Sequence, residues 1–339
     1  MKPEVSVIIP LYNRAEYIEE TLNSICAQTF DNWECIVVDD HSDDDGPDIV
    51  RSFVKRDDRI KFYRRPDDRK KGANACRNFG FEKSVGEFVI FFDSDDVMLA
   101  NCLELNLSCI QNSNSDYVIT RTDNFGKFID NPHEQNAHKN YYKFHLFPLT
   151  HFNYVTQRLN WLTPDLFVKR SVISSIRFNE NLNSGQEYNF NCKLTVINTN
   201  GKFLNRVTSS RRIHNNSIQG TLNKNSYKRI FERFQLNFLT WQDLRALNIY
   251  KQESTSLNFL FSGAVRDSLI ESLRIDFRSI NSLTREMFRG RYFITALSFW
   301  IYHVIKNFTG RGHFFRKIFI REWEKIPLNN FERHFYPHD

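Results

Sequence analysis

Long apolar runs are missing from this chain. The longest near its C-terminus, 292–305, includes Thr295 and His303. A membrane-crossing helix needs about 20 consecutive apolar residues, so no span is expected. A signal-peptide pattern is missing as well. The first apolar run, Val5 to Ile9, is short and meets Pro10, Asn13 and Arg14 at once. Glycine and proline are sparse, 12 and 9 in 339 residues, which argues against low-complexity disorder. The six cysteines (Cys26, Cys35, Cys76, Cys102, Cys109, Cys192) form no C-x-x-C pair and no metal-type spacing. They read as reduced, mostly buried thiols of a cytosolic protein. No internal repeat is apparent, and no nucleic-acid-binding motif accompanies the net charge of +6.

What is present is apolar and aromatic. Hydrophobic residues make up 41% of the chain and phenylalanine alone contributes 32, enough for a real core in one large domain or two. The positive charge is uneven. Residues 285–321 hold eight Lys/Arg against one acid, Glu286. Aromatic-rich segments there (Phe293, Leu297, Trp300, Ile301 and Val304, then Phe314, Phe315 and Trp323) alternate with Arg289, Arg291, Arg316, Lys317 and Arg321. Basic residues beside short apolar stripes suit an interfacial helix on an anionic membrane surface. Packing within the protein or against a second copy is the alternative.

The first hundred residues alternate strand and helix signals. Val5–Ile9, Glu34–Val38, Ile60–Tyr63 and Phe88–Phe92 read as strands. Segments 15–28, 47–55 and 73–83 read as helices between them, which predicts an α/β fold with a parallel sheet and right-handed crossovers. Segment 101–111 reads as a helix and Tyr117–Thr120 as a strand. From Arg121 to about Asn153 periodicity is lost, and a long loop is expected. Strand signals stop near residue 220. Helices are predicted at 223–246, 254–274 and 284–308. The expected organisation is an α/β domain over 1–220 and a helical, basic domain over 221–339.

The densest chemistry lies at Asp93-Ser94-Asp95-Asp96, where the apolar run ending at Phe92 delivers acids to the lip of the sheet. Carboxylates this close repel one another unless a cation or bound donors neutralise them. Their oxygens suit Mg²⁺ or Mn²⁺. A solvated acidic turn is the plain alternative. In parallel α/β sheets, however, ligands bind beyond the carboxyl ends of the strands. Pro10-Leu11-Tyr12-Asn13 and Asp39-Asp40 fall at the same edge.

These segments resemble the inverting family-2 glycosyltransferases of GT-A fold. The resemblance is carried by Val5-Ser-Val-Ile-Ile-Pro-Leu-Tyr-Asn13, Ser24-Ile-Cys-Ala-Gln-Thr-Phe30, Val37-Val-Asp-Asp-His-Ser42, Asn74-Ala-Cys-Arg-Asn78 and Phe91-Phe-Asp-Ser-Asp-Asp96, and covers roughly residues 4–215. It implies that Pro10, Tyr12 and Asp40 hold a nucleotide base and ribose, with Arg77 and Ser94 on the nucleotide as well. It implies a D-x-D motif in Asp93 and Asp95, with Asp95 on the metal and Asp93 on ribose or the metal's water. Gly185-Gln-Glu-Tyr-Asn-Phe190 matches the family's Glu-Asp segment, whose second acid is the catalytic base. Here the pair is Gln186-Glu187, so Glu187 keeps the carboxylate on a longer arm and Gln186 loses the charge. Arg212-Ile-His214 resembles the closing R-x-H segment, with His214 a metal or diphosphate ligand.

The implied activity is metal-dependent transfer of a single sugar from a nucleotide diphosphate sugar, UDP-linked by Asp40 and family tendency, to a hydroxyl of a glycan or lipid-linked glycan in surface-polysaccharide assembly. The implied place is the cytoplasm or the inner face of its membrane. Two alternatives are a non-catalytic sugar-nucleotide-binding module and a processive polysaccharide synthase. The second is disfavoured because Gln242-Asp-Leu-Arg-Ala246 lacks the tryptophan of the Q-x-x-R-W motif.

Overall fold

The computed structural model describes residues 2–125, 141–213, 226–247, 254–270, 273–289, 293–309 and 312–323. The chain divides into two compact units, Met1–Gly220 and Thr221–Asp339.

The first unit is built on one eight-stranded sheet. Its strands are β1 (Val5–Leu11), β2 (Trp33–Asp39), β3 (Ile60–Arg64), β4 (Phe88–Phe91), β5 (Val97–Met98), β6 (Tyr117–Phe125), β7 (Leu166–Lys169) and β8 (Gly201–Arg212), in the order β3-β2-β1-β4-β7-β6-β8-β5. Strands β1 to β4 pair in parallel, as expected of βαβ units. That is the parallel pairing expected for the first hundred residues; the sequence assigns no direction to the later strands. β7 runs antiparallel between β4 and β6, and β5 runs antiparallel to β8. Beyond β4 the connections are not crossover helices of the βαβ kind, so nothing imposes one direction.

All seven residues of β1 and of β2 are buried. Their apolar side chains therefore serve both faces of the sheet. Val5, Val7, Ile9 and Leu11 join the core beneath α1 (Ile18–Cys26) and α2 (Gly46–Val54). Ile36 and Val38 pack with Cys76 of α3 (Ala73–Lys83) on the other face. Each such burial contributes roughly 1.5–3 kcal/mol. Gly80 lets α3 settle onto that face. A Cβ there would stand 2.5 Å from Ile8 Cγ2.

The remaining helices of this unit are α4 (Cys102–Ser113), α5 (His151–Val155) and α6 (Gln186–Ile197), with a 3₁₀ turn at Thr163–Asp165. The long loop expected from Arg121 is shorter at both ends. β6 continues through Phe125, paired with β8, and α5 begins at His151 behind a Thr150 cap that accepts from Asn153 N.

The second unit contains α7 (Ser226–Ala246), α8 (Ser254–Ser268), α9 (Phe277–Arg289), α10 (Phe293–Thr309) and α11 (His313–Trp323). The single helix expected over 284–308 is two helices. Gly290 follows α9 in the sequence, and glycine is the residue favoured just past a helix end. Buried Asp267 is held by Arg233 at 2.7 Å and Asn237 at 3.2 Å.

Candidate active site

Parallel strands β1, β2 and β4 end at one edge of the sheet, and a cleft of about 410 Å³ opens there. Pro10, Leu11 and Tyr12 line it from β1 and Asp40 from the end of β2. Asp93 to Asp96 follow β4, Arg77 comes from α3, and Gln186 from the start of α6. The expected binding residues Pro10, Tyr12, Asp40, Arg77, Asp93, Ser94 and Asp95 therefore lie together, although they are scattered over 86 positions of sequence.

The repulsion within the acid cluster is relieved by arginines. Arg77 Nη2 donates to Asp93 Oδ1 at 2.6 Å. Arg14 Nε donates to Asp95 Oδ2 at 2.9 Å. The backbone N–H of Arg212 donates to Asp96 Oδ1 at 3.0 Å, and its Nε to the carbonyl of Asp95 at 3.0 Å. Relief is incomplete at Asp96. Burial first, then the carboxylates of Asp95 and Asp93, push its carboxyl well above the usual range, and the Arg212 N–H only partly offsets them. Carboxylate oxygens gathered in this way suit a divalent cation. Among the described residues no three His, Cys, Asp or Glu side chains converge as a cation site. The other expected ligand, His214, lies outside the described residues.

Arg77 is buried, with its guanidinium between two elements. Besides Asp93 it donates to Gln186 Oε1 at 2.8 Å. Its Nε is buried without a hydrogen-bond partner. Two asparagines on the same helix tie down the segment leading into α6. Asn74 Nδ2 donates to the carbonyls of Asn179 and Leu182, at 2.7 and 3.1 Å. Asn78 exchanges hydrogen bonds with the backbone of Phe178, donating at 3.0 Å and accepting at 2.9 Å. The Asn74–Asn78 motif thus sets where α6 begins.

α6 starts after Gly185, whose φ of 65° favours glycine. Gln186 and Glu187 form its first turn, where the helix dipole favours an acid. Gln186 lines the cleft, whereas Glu187 is absent from its lining and half-buried. Burial first, then the negative charge of the Glu187 carboxylate, raise the Tyr141 phenol.

Asp40 does not stand alone. Arg65 donates to its Oδ1, and both side chains are buried. Tyr12 is 39% exposed, with Lys71 Nζ 4.2 Å above its ring and 3.0 Å from its hydroxyl. Asp165 lies in the interior. It accepts from Thr122, Tyr142 and Leu162 N at 2.6 to 2.7 Å, yet burial outweighs these bonds and pushes its carboxyl up to about 7.

Sequence reasoning missed Arg14, Arg65 and Lys71. The only local signal was position: Arg14 directly follows the Pro10–Asn13 motif.

A profile described as Glycosyl transferase family 2 matches residues 6–177. The chain belongs to glycosyl transferase family 2. A curated relative of this family-2 chain is the GalNAc(5)-diNAcBac-PP-undecaprenol beta-1,3-glucosyltransferase of Campylobacter jejuni. It is 39% identical over 116 residues, 34% of this chain and 36% of the relative. Across the curated relatives it matches, the chain spans between 18% and 50% of their own length.

Among solved structures it is similar to S. aureus TarS 1–349 in complex with UDP-GlcNAc. That likeness has a TM-score of 0.61 at 20% identity, covering 95% of this chain and 89% of TarS 1–349. Mannosyltransferase PcManGT from Pyrobaculum calidifontis, in complex with GDP-Man and Mn²⁺, gives a TM-score of 0.53 at 15% identity, covering 92% of this chain and 88% of that one. The fold is GT-A, with helices following the nucleotide-sugar-binding type of sheet.

Proposed function

We propose that this family-2 glycosyltransferase moves a single sugar from a UDP-sugar to a hydroxyl of a glycan or lipid-linked glycan in surface-polysaccharide assembly, inverting the anomeric centre. One observation carries the reading. Residues scattered through half the chain meet at the carboxyl edge of parallel strands, with the acids of Asp93–Asp96 facing Arg77 and the start of α6 across one cleft. The Campylobacter relative's name specifies a lipid-linked acceptor, and TarS is similar in fold with UDP-GlcNAc bound.

In this reading Tyr12 and Pro10 pack on the base. Arg65 fixes Oδ1 of Asp40 and turns the second oxygen toward a uracil N3–H. Arg77, spanning Asp93 and Gln186, holds the donor side of the cleft, and Ser94 lies against the ribose. Asp95, with Asp93 and His214, would hold Mn²⁺ or Mg²⁺, which supplies neutralisation of charge growing on the diphosphate. Glu187 is the general base that takes the acceptor hydroxyl's proton. An acceptor fixed to a lipid places the enzyme in the cytoplasm at the inner face of the membrane.

Two measurements test this. Thermal shift with UDP-, GDP- and dTDP-sugars and Mn²⁺ should show the largest stabilisation with a UDP-sugar; stabilisation by GDP-sugars alone overturns the uridine assignment. Glu187→Gln should keep donor binding and lose transfer by about 10²-fold or more. A loss of only a few-fold would move the base elsewhere.

A further inference from the structure

α10 buries polar side chains while leaving large apolar ones exposed. Its buried face carries Thr295, Ser298, His303 and Lys306 beside Ala296, Phe299 and Tyr302. Its outward face carries Ile294 (64% exposed), Leu297 (54%), Trp300 (39%) and Phe308 (76%), with Ile301, Val304 and Ile305 half-buried between them. At 100° per residue these seven fall in one arc, the width of an apolar stripe that a helix normally buries. The polar face is not misplaced. Lys306 Nζ donates to the carbonyl of Ile270 at 2.8 Å, and His303 Nε2 lies 3.2 Å from Ser268 Oγ. Lys306, one of the basic residues expected at the surface, is therefore structural.

The apolar face continues onto α9. Trp300 Nε1 donates to Asn281 Oδ1 at 3.0 Å, and the rings of Phe277 and Phe308 lie 6.0 Å apart. The exposed side of α9 presents Phe277 and Phe288 together with Arg278, Arg285 and Arg289. The nearby acids are engaged: Glu286 pairs with Arg245 and Arg289, and Asp276 caps Ser279. An exposed apolar patch of this kind marks an interaction surface.

We propose that the outward faces of α9 and α10 form a docking surface for an anionic lipid bilayer, with Ile294, Leu297, Trp300 and Phe308 in the interfacial layer and the three arginines on lipid phosphates. Charge chooses the occupant. Arginines rimming an apolar strip complement an anionic leaflet. A second copy docked by the same face in two-fold fashion would bring the same arginines around one seam, where they repel. No helix among the described residues is long and apolar enough to cross a membrane, so the surface lies on the bilayer. The surface deepens the lipid-linked acceptor reading by saying how the enzyme meets its acceptor, but its test needs no sugar.

The experiment is flotation of the full chain with vesicles of phosphatidylcholine alone or containing phosphatidylglycerol. The chain should float with the anionic vesicles at low salt. Binding should fall roughly tenfold or more on neutral vesicles, in high salt, or with Arg278→Ser, Arg285→Ser and Arg289→Ser combined. Ile294→Asn with Leu297→Asn should abolish flotation while melting as the native chain does and still transferring sugar to a soluble acceptor. No flotation of the native chain on anionic vesicles overturns the proposal. So does undiminished flotation of the Ile294/Leu297 variant, or a dimer in light scattering that this variant dissolves. Intact flotation with no transfer to any acceptor would instead fault the functional reading.

Discussion

α3 and α10 both bury polar side chains, for opposite reasons. α3 buries Asn74, Arg77 and Asn78 because their partners line the cleft or lead into it: the loop before α6, Gln186 and Asp93. α10 buries Ser298, His303 and Lys306 against backbone carbonyls and hydroxyls of its own unit, beside Ala296, Phe299 and Tyr302, and leaves a second apolar face outside. A buried polar residue is costly unless paired. The pairing partner therefore tells what the helix is for. Where the partner belongs to a cleft, the helix serves the cleft. Where the partner is plain backbone and the apolar face is left over, the helix serves whatever covers that face.

The largest effect should come from separating α3 from its partners. Arg77→Met leaves Asp93 without its ion pair and Gln186 without its donor. A lost hydrogen bond to a charged group costs about 1.5–3 kcal/mol. Donor binding, read by titration calorimetry, should weaken at least tenfold and transfer further still. Undisturbed donor affinity would show that Arg77 is structural only, and the contrast with α10 would collapse. Gly80→Ala tests the same helix without touching the cleft. Its Cβ would meet Ile8 at 2.5 Å, and overpacking costs about 1–3 kcal/mol. The melting temperature should fall, with donor affinity falling as α3 shifts.

On α10 the two faces should respond oppositely. Lys306→Ala removes the donor to the Ile270 and Ser268 carbonyls and should destabilise the chain by about 1–3 kcal/mol. Leu297→Asn on the outer face should stay within about 0.5 kcal/mol. Denaturant unfolding separates them, and equal losses from both would mean the outer face is part of a core.

Much of this was legible in the sequence. The residues of α3 were readable to the end, and the cleft residues could be gathered because parallel strands deliver their loops to one edge. A nucleotide role for Arg77 came from the motif, but its protein partners were not readable, since Asp93 and Gln186 lie 16 and 109 positions away. Directions of β5 and β7 were hidden for a related reason. Strands of two and four residues carry no signal of their own, and their pairing is set by neighbours. α10 showed its apolar stripe in the sequence, but which stripe faces inward depends on carbonyls of the 268–270 segment. Glu187 was singled out by the motif, while its absence from the cleft lining comes only from the structure.

Asp165 supplies a pH test of the first unit. Its carboxyl, ordinarily titrating near 4, is pushed up to about 7 in the folded chain by burial. The folded state therefore holds a proton that the unfolded state releases between those values. The stability this group contributes is complete below about pH 4 and lost as pH rises through about 7. Melting temperature should decline from pH 5 to 8, and Asp165→Asn should flatten that decline. The same slope in the variant would assign it to another group.

The smallest effect should be Gln186→Glu, which restores the acid that the family motif carries. Arg77 Nη1 already donates to this position at 2.8 Å, so the change converts a neutral acceptor into an ion pair. The pair would be partly exposed, and such pairs contribute about 0.2–1 kcal/mol. Stability should rise by no more than that. The informative readout is competition. A carboxylate at 186 draws Arg77 away from Asp93, and Asp93 then has more charge to offer a divalent cation. The Mn²⁺ concentration for half-maximal transfer should drop by a few-fold. An unchanged metal requirement would mean that Arg77 divides itself between Asp93 and position 186 independently, and that the departure Gln186 is neutral for the donor side of the cleft.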